Sequence, residues 1–301
     1  MTTSYLALLQ EAVIETDAIA RHYYTKRDFV VSQKADLSPV TIADQEIEQT
    51  LTRFFRKHLP DADILGEEYG ESDLSRRAPG ASRALDPDGL GNPAPSSAAG
   101  ATGIQRAEPF GIKKIASAEP RQGRLRIIID PIDGTRNFIR GIPLFATLLA
   151  IECDGEIIAG LVSNPIQREQ WGAELGAGAT YNGSPIHVSS VADLAASQVF
   201  HGSLYGSEAE GLPREKVLGV LSQTHRQRGM GDFYGHMLVA SGAGEFSLDF
   251  GLKPWDLAPL KIIVEEAGGK VTNRDGGFSL TNGSLVCSNG VLHRDVLTAL
   301  Q

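Results

Sequence analysis

Two carboxylates, Asp130 and Asp133, stand three residues apart where the apolar run Ile127 to Ile129 ends. Consecutive β-branched residues predict a buried strand, and a carboxylate that closes such a run is a site signal. Pro131 fixes φ and cannot extend a ladder, so the chain is expected to turn there and let the two acids converge. Gly134 and Thr135 then open a predicted short helix whose unpaired N–H groups face whatever the acids hold. Carboxylates that gather hard cations, set beside N–H groups that receive an anion, describe a metal-assisted phosphate site. A lone Asp-x-x-Asp is more often an ordinary acidic turn, so the weight falls on its company.

That company is acidic too. Asp63-Ile-Leu-Gly66 reads as a short strand that runs into Glu67 and Glu68, a second case of acid at the end of an apolar run. Asp256 follows Trp255 at the start of a predicted helix, where the dipole favours a carboxylate and Pro254 suits the helix entry. Asp-Pro-Ile-Asp-Gly-Thr at 130 to 135, Gly66-Glu67-Glu68, and Trp255-Asp256 leading to Glu-Ala-Gly-Gly at 266 to 269 together resemble the signature of the inositol monophosphatase family of Mg²⁺-dependent phosphatases. The resemblance covers almost the full chain apart from one insertion.

The resemblance implies a ligand set of Glu67, Asp130, the carbonyl of Ile132, Asp133 and Asp256, holding two or three Mg²⁺ ions. An all-oxygen set suits Mg²⁺ better than zinc, and cations relieve the repulsion that crowded carboxylates would suffer if bare. Glu68 is read as a supporting or solvated residue. Asp44, in the first turn of a helix capped by Thr41, would ordinarily serve the macrodipole. The resemblance instead sets it near the reacting water and pairs it with Thr135, so that Asp44, Thr135 and Glu67 form the catalytic group. Attack is then in line on a phosphate monoester, with the N–H groups of Gly134 and Thr135 receiving charge on the phosphoryl oxygens and no phosphoenzyme.

The leaving group selects among family members. Thr135-Arg-Asn-Phe-Ile-Arg-Gly-Ile-Pro143 and Gly231-Asp-Phe-Tyr-Gly-His-Met-Leu-Val-Ala240 look more like the histidinol-phosphatase branch than the inositol branch. A carboxylate at Asp232 suits the ammonium of an amino-alcohol phosphate, or else caps its helix. Asp249 matches the family position that contacts substrate hydroxyls. The expected reaction is hydrolysis of L-histidinol phosphate, with inositol 1-phosphate as runner-up and a non-catalytic ligand- or partner-binding relative as the reading from another class.

These residues need elements to hold them. Residues 4–24 and 42–58 read as amphipathic helices; 144–152 and 156–164 read as strands joined by Cys153-Asp154-Gly155, a hairpin turn; 169–174 and 186–189 continue an antiparallel sheet. Further on, strands at 198–203, 245–249 and 284–288 alternate with helices at 213–223, 232–242, 254–268 and 292–300. Strands separated by helices predict a layered α/β half. The fold class is α/β, a layered α-β-α-β-α sandwich of the sugar-phosphatase type, which the resemblance also implies. Residues 1–188 are expected to form an α+β domain carrying most ligands, and 189–301 a domain supplying Asp256 and the specificity residues. Between 72 and 123 lies an Ala-Pro-Gly-Ser-rich insertion read as a flexible linker. Its basic residues Arg76, Arg77, Lys113, Lys114 and Arg121, with Arg124 and Arg126 just beyond it, offer an alternative role, steering a phosphate toward the site.

With 301 residues and 42% hydrophobic content the chain can bury a large core, while a formal charge of -9 speaks against a nucleic-acid partner. The two cysteines, Cys153 and Cys287, lack metal-ligand spacing and are expected to be reduced core residues. No Ser or Cys nucleophile elbow occurs, and His236 is expected to be a packed or surface histidine. No apolar window approaches the roughly 18 residues of a membrane span, and no leader is recognisable, so a cytoplasmic protein is expected. The partner is a small phosphate ester, and the resemblance implies a homodimer.

Overall fold

A computed structural model describes residues 4–34, 38–72, 123–205 and 213–301. Apart from its ends, the predicted insertion lies outside the described residues, as do Arg76, Arg77, Lys113, Lys114 and Arg121. The first half comprises α1 (Tyr5–Lys26), β1 (Val31–Gln33), β2 (Pro39–Thr41), α2 (Ile42–His58), β3 (Asp63–Gly66), β4 (Gly70–Ser72), β5 (Leu125–Asp133) and α3 (Thr135–Arg140). There follow β6 (Ala146–Cys153), β7 (Glu156–Asn164), β8 (Glu169–Glu174), β9 (Gly178–Tyr181) and β10 (Ser184–Pro185). The remainder is β11 (Gln198–His201), α4 (Arg214–Leu221), β12 (Arg226–Gly229), α5 (Asp232–Ala240), β13 (Phe246–Phe250), α6 (Pro254–Glu266), β14 (Lys270–Thr272), β15 (Ser284–Ser288) and α7 (His293–Ala299).

An eight-stranded sheet runs β10-β9-β8-β7-β6-β5-β3-β4, antiparallel except where β3 lies parallel to β5. A five-stranded sheet runs β12-β11-β13-β15-β14. Both faces of the larger sheet are covered, which is why β5 is a continuous apolar run rather than an alternating one. Ile127 and Ile129 pack with Leu9 and Val13 of α1 and Ile47 and Leu51 of α2, whereas Ile128 joins Leu257 and Ile263 of α6 on the other face. Helix α6 contacts strands of both sheets and is apolar on most sides, as a helix between two sheets must be. Each fully buried Leu or Ile there contributes about 1.5–3 kcal/mol. Close approach depends on Gly160 of β7, where a Cβ would come within 2.5 Å of Ile262 Cγ2. Val217 of α4 and Val296 of α7 cover the outer face of the small sheet with Val199 and Phe246. The layers are therefore α1/α2, large sheet, α5/α6, small sheet and α4/α7, the α-β-α-β-α order expected.

Three details differ from expectation. Pro131 does not turn the chain out of the sheet: β5 continues to Asp133 through a bulge, with Asp130 opposite Leu148 and Asp133 opposite Ala146. Residues 186–189 are not a strand, because the turn after Tyr181 allows only Ser184 and Pro185 to pair; Val188 N–H instead reaches the Ala267 carbonyl at the end of α6. The hairpin β1–β2 and strands β9, β12 and β14 are short, and they lack the apolar runs that marked the other strands. Cys153 and Cys287 are buried and not joined in a disulfide, as expected.

A buried carboxylate outside the predicted site sets a pH response. Asp17 of α1 is held by the Ser163 hydroxyl of β7, 3.0 Å from both carboxylate oxygens, and burial pushes its pKa from 3.8 up to about 7. The folded chain binds this proton more tightly than the unfolded one. The stabilisation is complete below pH 3.8 and is lost as pH rises through about 7. At ~1.4 kcal/mol per pH unit the full span is worth up to about 4 kcal/mol. Asp17→Asn keeps a partner for Ser163 and should reduce the fall in urea midpoint between pH 4 and 8, measured with saturating Mg²⁺; an unchanged slope removes Asp17 as its source.

Candidate active site

The acids meet because of strand register. β3 and β5 are parallel with Gly66 opposite Ile129, so the next residues, Glu67 and Asp130, emerge side by side at one end of the sheet. Glu67 N–H donates to the Ile129 carbonyl at 3.2 Å. The bulge then carries Asp133 round to the same end, pinned by the Thr147 hydroxyl on the Pro131 carbonyl at 2.9 Å. Gly134 follows with φ 81, and a Cβ there would sit 2.9 Å from the Leu144 carbonyl, so only glycine fits. Asp256, in the first turn of α6, accepts the Lys253 N–H at 2.7 Å and thereby faces the strand ends.

Ligand oxygens of Asp130, Asp133 and Asp256 all lie within 4.8 Å of one another. They border a cavity of about 410 Å³ that Glu67, Ile132, Gly134 and Thr135 also line. Burial pushes all three carboxyl groups above the usual range, and repulsion from neighbouring acids adds to it, while at Asp256 a hydrogen bond with Asp130 works the other way. Asp130 Oδ1 is buried with no hydrogen-bond partner among the described residues. An orphaned acceptor among crowded acids, in an all-oxygen cluster, is what a hard divalent cation relieves, so the donor set fits Mg²⁺.

Glu67 stands apart from the close trio. The Lys34 ammonium, at the end of β1, lies 2.6 Å from Glu67 Oε1 and 2.7 Å from Glu68 Oε1. Burial works against its charge, but the two glutamates outweigh burial and raise its pKa. Glu68 is therefore a buried partner of Lys34 rather than solvated, its carboxyl pushed up to about 7 mainly by burial. Lys34→Met removes the built-in counter-charge. The metal-free protein should lose about 1–3 kcal/mol, and its melting temperature should rise more on adding Mg²⁺ than that of wild type. A Mg²⁺-induced rise no larger than wild type's would show that Lys34 does not offset this charge.

Asp44 is fully buried beneath the cavity rather than lining it. Its Oδ2 accepts Thr41 N–H at 2.8 Å and the Thr41 hydroxyl at 2.6 Å in a capping box. Oδ1 lies 3.5 Å from Thr135 Oγ1, whereas the Ile132 carbonyl lies 3.0 Å from the same hydroxyl. A hydroxyl has one proton to give, so in this geometry it goes to Ile132 and the Asp44 contact is the weaker alternative.

Asp232 is not a helix cap: Gly231 holds that position, and Asp232 begins α5 with a left-handed φ of 54. Its Oδ2 accepts from Asn137 Nδ2 at 3.0 Å, and the next N–H, of Phe233, donates to Asp133 Oδ2 at 2.7 Å. Asp249 is buried close by, its carboxyl pushed up to about 7 by burial, and it accepts Phe250 N–H at 2.9 Å. Neither Asp232 nor Asp249 lines the cavity itself. His236 is packed as expected, held neutral by burial with a pKa near 3. Arg124 and Arg126 are neutralised by Asp63 and Glu152 at the opposite end of β5, which removes them from the phosphate-steering role.

Residues not foreseen complete the site. Lys34, Lys253 and Trp255 line the cavity. Glu48 of α2 is buried and accepts the N–H groups of Glu68 and Tyr69 at 2.8 and 3.1 Å, fixing the turn that aims Glu67. Gly66 permits this, since a Cβ there would lie 1.9 Å from Glu48 Oε1.

Known proteins resemble this chain along almost its whole length. The sequence profile of the inositol monophosphatase family matches residues 2–301. The histidinol-phosphatase of Mycobacterium tuberculosis is 34% identical over 289 residues, covering 94% of this chain and 93% of that protein. The histidinol-phosphatase of Chlorobaculum parvum is 33% identical over 303 residues, covering 99% and 97%. Among solved structures, the extragenic suppressor protein suhB from Bartonella henselae aligns with a TM-score of 0.75 at 25% identity, covering 98% of this chain and 97% of that one.

Proposed function

We propose, for a chain that belongs to the inositol monophosphatase family and is a phosphatase, that its substrate is L-histidinol phosphate, hydrolysed to L-histidinol and inorganic phosphate. The observation that carries this reading is the Asp232 carboxylate, half-buried near Asp133, with no cationic partner among the described residues. An amino-alcohol phosphate brings an ammonium to such a group; inositol phosphates bring only neutral hydroxyls. The family names of the relatives support the same choice.

The family is magnesium-dependent. We assign the ligands to Glu67, Asp130, the Ile132 carbonyl, Asp133 and Asp256, with two or three Mg²⁺ ions, on the family pattern and the clustering of three of these acids. Bound there, Mg²⁺ supplies Lewis acidity, acidifying the attacking water and offsetting charge on the departing oxygen. The chain's own residues orient the reactants. When the Ile132 carbonyl is engaged elsewhere, the Thr135 hydroxyl turns to Asp44 Oδ1, its nearest other acceptor, and leaves its lone pairs to hold a water in the cavity. The Asp44 carboxyl, pushed up to about 6 by burial, is suited to draw a proton through Thr135 near neutral pH. Gly134 and Thr135 would receive the phosphoryl oxygens, and Asp249 a polar group of the alcohol. On the family pattern the protein is also taken as a cytoplasmic homodimer, and analytical sedimentation tests its oligomeric state.

The deciding measurement is kcat/KM for histidinol phosphate against inositol 1-phosphate with saturating Mg²⁺. A preference of at least ~100-fold for histidinol phosphate is expected, since a site built around a charged partner rejects an ester that lacks it. Asp232→Asn should reduce that preference by ~10-fold or more. Preference for inositol 1-phosphate would overturn the assignment, and absence of phosphate release from either would favour a binding protein.

A further inference from the structure

We infer that Asn137 is a positioning residue for substrate specificity, holding the Asp232 carboxylate in the orientation that receives an ammonium group; this rests on the reading of the substrate as an amino-alcohol phosphate. Asn137 lies in α3, just after Thr135, and its side-chain amide bridges two distant segments. Nδ2 donates to the Leu144 carbonyl at 2.9 Å and to Asp232 Oδ2 at 3.0 Å. Both N–H bonds of that amide are thus used, and it cannot rotate without losing the two together. One of its acceptors is main chain, so the amide is a fixed bracket rather than a mobile contact.

The residue it holds is unusually constrained. Asp232 is a non-glycine residue in the left-handed region, a strained conformation that persists where neighbours over-determine it. Those neighbours are identifiable: Phe233 N–H is fixed on Asp133 at 2.7 Å, and Asn137 fixes the side chain. Gly134 completes the socket. A Cβ at Gly134 would lie 2.9 Å from the Leu144 carbonyl and 3.4 Å from Asp232 Oδ2, the same two atoms that Asn137 bridges. The loop that carries Thr135 and the carboxylate assigned to the leaving group are therefore built as one unit. With Oδ2 tied to Asn137, the rotation of the carboxylate is already restricted before substrate arrives, and its second oxygen is the one left to meet an ammonium. A carboxylate oriented in advance gives up less freedom on binding, so the gain should appear in KM.

The test compares histidinol phosphate with its deaminated analogue, which keeps the imidazole and the phosphate but lacks the ammonium. Asn137→Ala should lower kcat/KM for histidinol phosphate by ~10- to 100-fold, mostly through KM, and alter that of the analogue by less than ~3-fold. In an Asp232→Asn background the same change should have no further effect on the ratio of the two substrates. Equal losses on both substrates, or an undiminished effect on the ratio without Asp232, would overturn the proposal. Should the alanine variant fail to fold, Asn137→Ser is compared in the same way. If wild type does not distinguish the two esters, the substrate reading fails with this proposal; if wild type and Asp232→Asn behave as expected and Asn137→Ala keeps the ratio, only this proposal fails.

Discussion

Asp130→Asn should lower phosphate release by at least ~10³-fold and weaken Mg²⁺ binding, because one carboxylate is lost from the cluster that the cations would share. Its fold should survive the change and even gain from it. In the absence of metal, Asp130 is fully buried, repelled by Glu67, Asp133 and Asp256, and has one oxygen without a partner among the described residues. A neutral amide removes that repulsion, so the metal-free variant should melt at a higher temperature than metal-free wild type, yet rise less when Mg²⁺ is added. Phosphate release and Mg²⁺-dependent melting, measured together, distinguish a ligand from a structural acid. Full activity in the variant would remove the strand-end acids from the chemistry.

Asp44→Asn should reduce kcat by ~10²- to 10⁴-fold with KM within about threefold of wild type, the range for loss of a proton-transfer group. Asparagine retains an oxygen that can accept the Thr41 N–H, so the helix start should hold. Asp44→Ala gives up that cap as well and should cost about 1 kcal/mol of stability in addition. The comparison separates chemistry from capping. A kcat for Asp44→Asn within tenfold of wild type would leave Asp44 as a capping residue whose charge serves the helix dipole alone.

The elements legible in the sequence are those whose signal is local. The runs that become β5, β6 and β7 are apolar because both faces of their sheet are covered, and the acids that end such runs stand out against them. Capping by Thr41 and the entry of α6 at Pro254 are likewise encoded by adjacent residues. What was not legible depends on register and on side chains crossing between segments. Nothing near Lys34 marks it as a partner of Glu67, since β1 and β2 are only three residues each and their pairing brings the lysine in. Glu48 reads as one more polar residue of an amphipathic helix until Gly66 is found against it. Asp232 resembles a cap in sequence because Asp is favoured there; the tertiary bonds to Asn137 and from Phe233 to Asp133 override that preference and draw it into the left-handed region. The expected contact between Thr135 and Asp44 is present but long, at 3.5 Å, because the Ile132 carbonyl lies nearer to the same hydroxyl, a competition that no spacing rule would reveal.

The neighbouring positions of Glu67 and Asp130 follow from a parallel ladder between β3 and β5, with Gly66 facing Ile129. Their separation is thus a property of adjacent strands, ~4.8 Å apart, and is independent of how much polypeptide joins them. Closing a longer connection costs only ~0.6 kcal/mol for each doubling of its length. Evolution is consequently free to graft or trim sequence between Ser72 and Gly123 without retuning the metal cage, which makes that junction a natural port for new properties on an old hydrolase.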